Sequence, residues 1–181
     1  LSAEQLQQHN IQLLPLCISM GDKLLRDGVE ITPDDIYAHV DAGGDICTTS
    51  ALNFTDYSDC FTPLSQEYDA VIHINISAEF SSCYQNAVLA SQEFDNVYVV
   101  DSRNLSTGHG HVVLRAAELA ESGMDVKDIV AELNNFTAKV DASFILSRLD
   151  YMKKGGRCSS VVALGANLLH LRPCIEVVNG K

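Results

Sequence analysis

Short apolar runs alternate with amphipathic stretches along the chain, the pattern of strands joined by crossover helices. Ala70-Val71-Ile72-His73-Ile74-Asn75-Ile76 and Val97-Tyr98-Val99-Val100 are apolar at nearly every position. That predicts strands covered on both faces, hence a parallel sheet. Between them, residues 81–94 carry Tyr84, Ala87 and Val88 on one helical face. After Gly110, Val113, Ala116, Ala117 and Ala120 fall at i, i+3, i+4, i+7 and predict a helix that Gly123 ends. Asp125 to Ala138 predicts another helix with Ile129, Val130 and Leu133 inward, and Ala142 to Leu146 a strand.

The flanking segments carry punctuation. Ser2 predicts a capped helix through His9, followed by an extended Ile11 to Ile18 that Pro15 interrupts or confines to an edge. Thr32-Pro33-Asp34-Asp35 has a capping hydroxyl, proline at the first helical position, and carboxylates at the positive dipole end. Thr48-Thr49-Ser50 predicts a loop before a helix over Thr55 to Gln66, which Pro63 kinks or ends. A short helix is expected over Val161 to Leu169, then a strand from Pro173 entering the Asn179-Gly180 turn. That turn calls for a partner strand beyond Lys181, so the reading is of a second domain cut short. The opening Leu1-Ser2-Ala3-Glu4-Gln5 reads as an internal start.

Composition narrows the function classes. With 24 acidic and 12 basic residues among 181, the formal charge is −12. Such a field repels phosphate backbones and anionic membrane surfaces, so nucleic acid is not an expected partner. No apolar run approaches the ~20 residues a spanning helix needs, so membrane insertion is not expected. The six cysteines, Cys17, Cys47, Cys60, Cys83, Cys158 and Cys174, include no Cys-x-x-Cys pair, and neither zinc nor a redox pair is expected. Four Asn-x-Ser/Thr triplets, at Asn53, Asn75, Asn104 and Asn135, are read as coincidence because the second sits in an apolar strand. A cytoplasmic address is the expectation.

Three segments place small hydroxyl residues where a strand ends or a helix begins: Thr48-Thr49-Ser50, Ser77 to Ser82, and Asp101 to Gly110. In a parallel sheet such turns gather at the carboxyl edge, and hydroxyls with free N–H groups there suit one carboxylate. Any single one is more often only a helix cap. A serine hydrolase using Ser81 would want Gly-x-Ser-x-Gly, and no glycine flanks Ser81. His109-Gly110-His111 could ligate zinc, but no third ligand is nearby, and the preferred reading is a close backbone approach at the glycines with solvent-facing imidazoles. Gly108-x-Gly110 lacks the third glycine of a dinucleotide site. Lys153, Lys154 and Arg157 read first as a solvated helix end with cations at the negative dipole, and docking of a partner or contact with the ligand is the further hypothesis for them.

The chain resembles the DegV family over nearly its whole length. The matching stretches are Cys47-Thr48-Thr49-Ser50, Tyr68 to Ile72, Ile76-Ser77-Ala78-Glu79-Phe80-Ser81-Ser82-Cys83-Tyr84-Gln85-Asn86-Ala87, and Asp101-Ser102 with Ser106-Thr107-Gly108-His109-Gly110. Leu149-Asp150-Tyr151-Met152-Lys153-Lys154-Gly155-Gly156-Arg157 and Leu164-Gly165 through Pro173 complete them. The resemblance implies an α/β fold: a parallel-sheet, three-layer first domain over 1–146, lacking that domain's first strand, then the start of a truncated second α+β domain over 147–181. It implies a non-catalytic carrier that buries one long-chain fatty acid between domains and presents it to a fatty acid kinase. Thr49 and Ser81 would hold the carboxylate, with Ser50, Ser82 and Arg157 as further ligand-binding residues. No catalytic or metal-ligating residue and no cofactor besides the acid is implied. Where the family has leucine-serine-glycine-threonine-tyrosine, this chain has Phe80-Ser81-Ser82-Cys83-Tyr84, which removes a residue free to adopt positive φ. The alternatives are a binder of another small hydrophobic carboxylate and a serine-dependent acyl hydrolase using Ser81.

Overall fold

A computed structural model describes residues 1–147, 149–154, 159 and 172–181. The chain divides into two compact units, one made of 1–14, 52–142 and 177–181, the other of 15–51 and 143–176.

The first unit is built on a parallel pair, β4 (Val71–Asn75) and β5 (Val97–Asp101), in the register Ile72↔Tyr98, Ile74↔Val100, Asn75↔Asp101. Helices cover both faces. Side chains of a strand alternate, so Ile72 and Ile74 lie on one face and His73 and Asn75 on the other. Ile72 and Ile74 pack with Val100 against Val112, Ala116 and Leu119 of α5 (Ser106–Glu121) and Ile129 and Leu133 of α6 (Val126–Thr137). On the other face His73 meets the rings of Tyr57 and Phe61 from α3 (Phe54–Glu67), at 5.2 and 5.3 Å between centroids. Next to α3 lies α4 (Cys83–Ser91), with Cys83, Ala87 and Ala90 buried. The result is the expected three-layer α/β arrangement.

Local chemistry explains the boundaries. Capping boxes start α1 (Ala3–Gln8) at Ser2, α2 (Pro33–Asp41) at Thr32 and α3 at Asn53. Gly123, with φ +79°, follows α5 in the left-handed conformation that ends helices. Helix α3 runs through Pro63 rather than ending there. A proline at that position removes one ladder bond, and the apolar face anchored by the fully buried Tyr57 and Phe61 holds the turns on either side.

The second unit corrects a further expectation. Thr48-Thr49-Ser50 is not a loop at the edge of the parallel sheet; it is strand β3, antiparallel to β1 (Cys17–Met20), with Ile18↔Thr49 and Cys17↔Ser50. On its other side β1 pairs antiparallel with β2 (Lys23–Arg26). Two β-branched threonines fit such a ladder as well as they fit a turn. The strand expected from Ile11 starts only at Cys17, beyond Pro15. Strands β6 (Ala142–Ile145) and β7 (Cys174–Val177) pair, and α7 spans Asp150–Lys154. Past β7, Asn179 and Gly180 both have positive φ, at 53° and 85°, and Val178 and Lys181 exchange both backbone hydrogen bonds. That is the expected hairpin-type turn. The helix expected over 161–169, with Arg157 and Cys158, lies outside the described residues.

Leu133 is fully buried at the centre of the α5–α6 core. Leu133→Ala is expected to cost about 2–5 kcal/mol in urea denaturation, against ~0.5 kcal/mol or less for Leu89→Ala at the exposed side of α4.

Candidate functional site

Because β4 and β5 are parallel, both chains leave the sheet at one edge, where ligands of open α/β sheets bind. From β4 the chain crosses 76–82 to α4; from β5 it crosses 102–105 to α5. Buried hydrogen bonds lock the two crossings together. Ser77 N–H donates to Asn104 O at 2.9 Å, and Ala78 and Arg103 N–H groups share Asp101 Oδ1 at 3.2 and 2.8 Å. The Ser77 hydroxyl donates to Gly180 O at 2.5 Å and that of Ser102 to Asn104 O at 3.1 Å; both side chains are fully buried. These hydroxyls are used up in shaping the turns.

Ser81 and Ser82 lie beside them at the start of α4. Ser81 is half-buried, and its Oγ accepts from Cys83 N–H at 3.2 Å. Ser82 occupies the exposed N-cap without a side-chain cap bond, at φ −71° and ψ −1°. That is right-handed backbone, so the serine replacing the family's glycine carries no conformational cost there. Helix α5 also starts without a side-chain cap, at Leu105. The first N–H groups of two helices that follow neighbouring strands therefore face one edge with part of their donor capacity free, an arrangement suited to an anion. In the second unit, Thr49 and Ser50 are adjacent and exposed on β3. Arg157 lies outside the described residues.

The run Ser106-Thr107-Gly108-His109-Gly110, expected as a loop, forms the first turns of α5. Gly108 is there for close approach: a Cβ would stand 2.1 Å from Asn104 Oδ1 and 2.9 Å from the Ala142 Cβ. Asn104, whose Nδ2 donates to Val140 O at 3.1 Å, is the residue that sequence reasoning missed, and the glycine four residues on was its only signal. His109 is not solvent-facing; its Nε2 donates to Ile74 O at 3.2 Å, while His111 is exposed. Of the sequon asparagines, Asn53 caps α3 and Asn75 and Asn104 are buried. Among the described residues, no three His, Cys, Asp or Glu side chains gather where they could hold a metal ion, and no helix is long and apolar enough to cross a membrane.

Electrostatics set the protonation state beneath this edge. His73 Nε2 is sealed from solvent without a hydrogen-bond partner among the described residues. Burial, and then repulsion from His109, push its pKa down to about 4. Burial also lowers His109. The Tyr57 phenol, which accepts from Asn75 Nδ2 at 3.0 Å, is pushed up by burial and then by its contact with Cys83. The face of β4 under α3 is therefore polar but uncharged at neutral pH.

The model of the DegV family, described as an uncharacterised protein family, matches residues 1–181. The chain belongs to the DegV family. A DegV domain-containing protein of Clostridium perfringens is 31% identical over 183 residues, covering all of this chain and 66% of the relative. A DegV family protein of Thermus thermophilus, whose structure is described by its fatty acid binding, superimposes with TM-score 0.87 at 32% identity, covering 100% of this chain and 65% of that one. A stearic acid-binding protein of Eubacterium ventriosum gives TM-score 0.86 at 28% identity, covering 100% and 64%. The chain thus spans about two thirds of the length of these DegV relatives.

Two outcomes follow from this geometry. Gly108→Ala is expected to destabilise by about 1–3 kcal/mol in urea denaturation, because Asn104 cannot withdraw without losing its bond to Val140. For His73 the folded pKa lies below the unfolded one, so protons bind the unfolded state first. Its contribution is intact above pH ~6.5 and is lost as pH falls through about 4, a total of roughly 3 kcal/mol. Denaturation midpoints between pH 7 and 4 should show this slope, and His73→Phe should flatten it.

Proposed function

We propose that this chain is the carboxylate-binding portion of a fatty-acid carrier: a non-catalytic protein that buries one long-chain acid and presents it to a fatty acid kinase. The observation that carries the reading is the whole-chain match, in sequence and in fold, to the Thermus protein described by its fatty acid binding. The α4 start supports it, with Ser81 and Ser82 at an incompletely capped helix terminus beside the incompletely capped start of α5.

In this reading Thr49 and Ser81 supply hydroxyl donors to the carboxylate, with Ser50 and Ser82 beside them and Arg157 as a cationic contributor. The roles of Thr49, Ser50 and Arg157 rest on the family resemblance alone. The hydroxyls set orientation rather than most of the affinity. Burying about 14 methylenes at ~0.8 kcal/mol each is worth roughly 11 kcal/mol gross. Immobilising the flexible tail and the ligand offsets a large share of that. A donor to a charged oxygen contributes about 1.5–3 kcal/mol. Transfer to a kinase asks for a carboxylate held reversibly by neutral donors, which hydroxyls provide without a covalent step. The bound acid is the only ligand this scheme needs.

Ser81 as the nucleophile of an acyl hydrolase has less support. Its Oγ is engaged as an acceptor for the N–H of its own helix, and no glycine beside it opens an elbow.

Native mass spectrometry of the gently purified full-length protein, followed by solvent extraction, tests the proposal. A stoichiometric straight-chain acid of about 14–18 carbons is expected, with Thr49→Ala and Ser81→Ala each weakening binding roughly ten- to a hundredfold. An empty protein that takes up neither palmitate nor oleate would sink it and direct the search to another small carboxylate. Labelling of Ser81 by a fluorophosphonate would revive the hydrolase.

A further inference from the structure

The turn at Val178 to Lys181 sits on both crossings that leave the parallel pair. Val178 and Lys181 close it by exchanging backbone hydrogen bonds, and the carbonyls of the two residues between them are taken by different crossings. Gly180 O accepts the Ser77 hydroxyl at 2.5 Å, on the way from β4 to α4. Asn179 O accepts Arg103 Nη2 at 3.0 Å, on the way from β5 to α5. The Lys181 ammonium pairs with Glu79 at 3.3 Å, an exposed contact of little weight alone. The fit is close as well as polar. A Cβ on Gly180 would stand 3.0 Å from Ser77 Oγ and 3.5 Å from Arg103 Cβ, and its φ of +85° favours glycine in any case.

The two crossing residues are held in ways that serve this contact. Ser77 is fully buried; its N–H donates to Asn104 O, its carbonyl accepts from Phe80 N–H at 3.0 Å, and its hydroxyl accepts from Glu79 N–H at 3.3 Å. The turn it closes ends at Phe80, the residue before Ser81, so the orientation of Ser77 sets where the Ser81 side chain begins. Remove Gly180 O, and the Ser77 hydroxyl becomes a buried donor that must find another acceptor, at the expense of this turn. Arg103 is exposed yet has φ of +51°, a left-handed conformation that a side chain of its size adopts only where its surroundings fix it. Asp101 Oδ1 holds its N–H at 2.8 Å, and the guanidinium is thereby aimed at the turn.

We propose that Arg103 and the Asn179–Gly180 turn are positioning elements for the carboxylate site: seated on Ser77 and Arg103, the turn fixes the 76–82 crossing and, with it, the Ser81 hydroxyl. This deepens the carrier reading and rests on it. Seating and ligand binding are then linked, and the linkage is reciprocal. Whatever unseats the turn weakens the acid, and the acid slows opening of the turn by the same limiting factor.

The test uses the full-length protein with palmitate as the probe. Asparagine tolerates left-handed backbone but is too short to reach Asn179 O, whereas lysine keeps a donor of similar reach. Arg103→Asn and Gly180→Ala are each expected to weaken palmitate about three- to tenfold, with part of the loss restored in Arg103→Lys. The urea midpoint of Arg103→Asn should stay that of the wild type, which separates positioning from folding. The double variant should bind no more weakly than the weaker single one, because both act through one turn. In the wild type, palmitate should slow amide exchange at Val178 and Lys181 by at least about threefold. Unchanged affinity in Arg103→Asn, or exchange at those amides that ignores palmitate, overturns the proposal. So do additive losses in the double variant, which assign Arg103 to the carboxylate itself. A wild type that binds neither palmitate nor oleate sinks the carrier reading and this inference with it, so the two failures are told apart by the wild type alone.

Discussion

The parallel register of Val71–Asn75 against Val97–Asp101 is the constraint on which the first unit depends. Parallel strands require a crossover, and with both faces covered every residue of the pair must satisfy a helix. Ile72, Ile74 and Val100 meet the aliphatic layer of α5 and α6; His73 and Asn75 meet the aromatic and phenolic groups of α3. The same register sends both exits to one edge, which is why Ser77, Asp101, Ser102 and Asn104 can form one hydrogen-bonded block. Most of that block's donors are spent internally, while the buried Asn104 Oδ1 has no partner among the described residues. What it leaves without a side-chain cap are the starts of α4 and α5, whose first backbone N–H groups are the donors the proposed carboxylate site would use.

The two histidines near this edge are tied into the fold. A catalytic acyl site needs a base poised beside its nucleophile. Here the two imidazoles near the sheet's carboxyl end are committed elsewhere, His109 to the Ile74 carbonyl and His73 to a sealed layer between Tyr57 and Phe61. Both are pushed toward the neutral form by burial, and His73 Nε2 has no hydrogen-bond partner among the described residues. Their chemistry is that of packing and of holding a carbonyl at the end of a strand.

Where one local rule decided the outcome, the sequence was legible. Thr32 and Pro33 could only start a helix, Gly123 could only end one, and Asn179-Gly180 could only turn with positive φ at both positions. The β4–β5 pair followed from runs too apolar to face water, and the hydroxyl-rich exits followed from the pair. Legibility failed where two partners compete for one residue type. Threonine serves ladder and turn alike, so Thr48-Thr49-Ser50 read as a loop until β1 supplied a ladder. Pro63 read as a stop because the aromatic anchoring of α3 is a tertiary fact. Gly108 read as a loop residue because Asn104, which needs the space, has no periodic signature. Of the candidate site, Ser81 and Ser82 could be placed at a helix start from sequence, whereas the commitment of Ser77 and Ser102 to structure could not.

Ile11 to Leu14 carries a strand's pattern yet pairs with no strand among the described residues, and physics gives a reason. An isolated extended segment has no cooperative ladder to offset its conformational entropy; strand character is realised only against a partner. Ile74 O, the last carbonyl on the free side of β4, now leans on the His109 ring, and His109 is in the first turns of the helix whose N-terminus faces the candidate site.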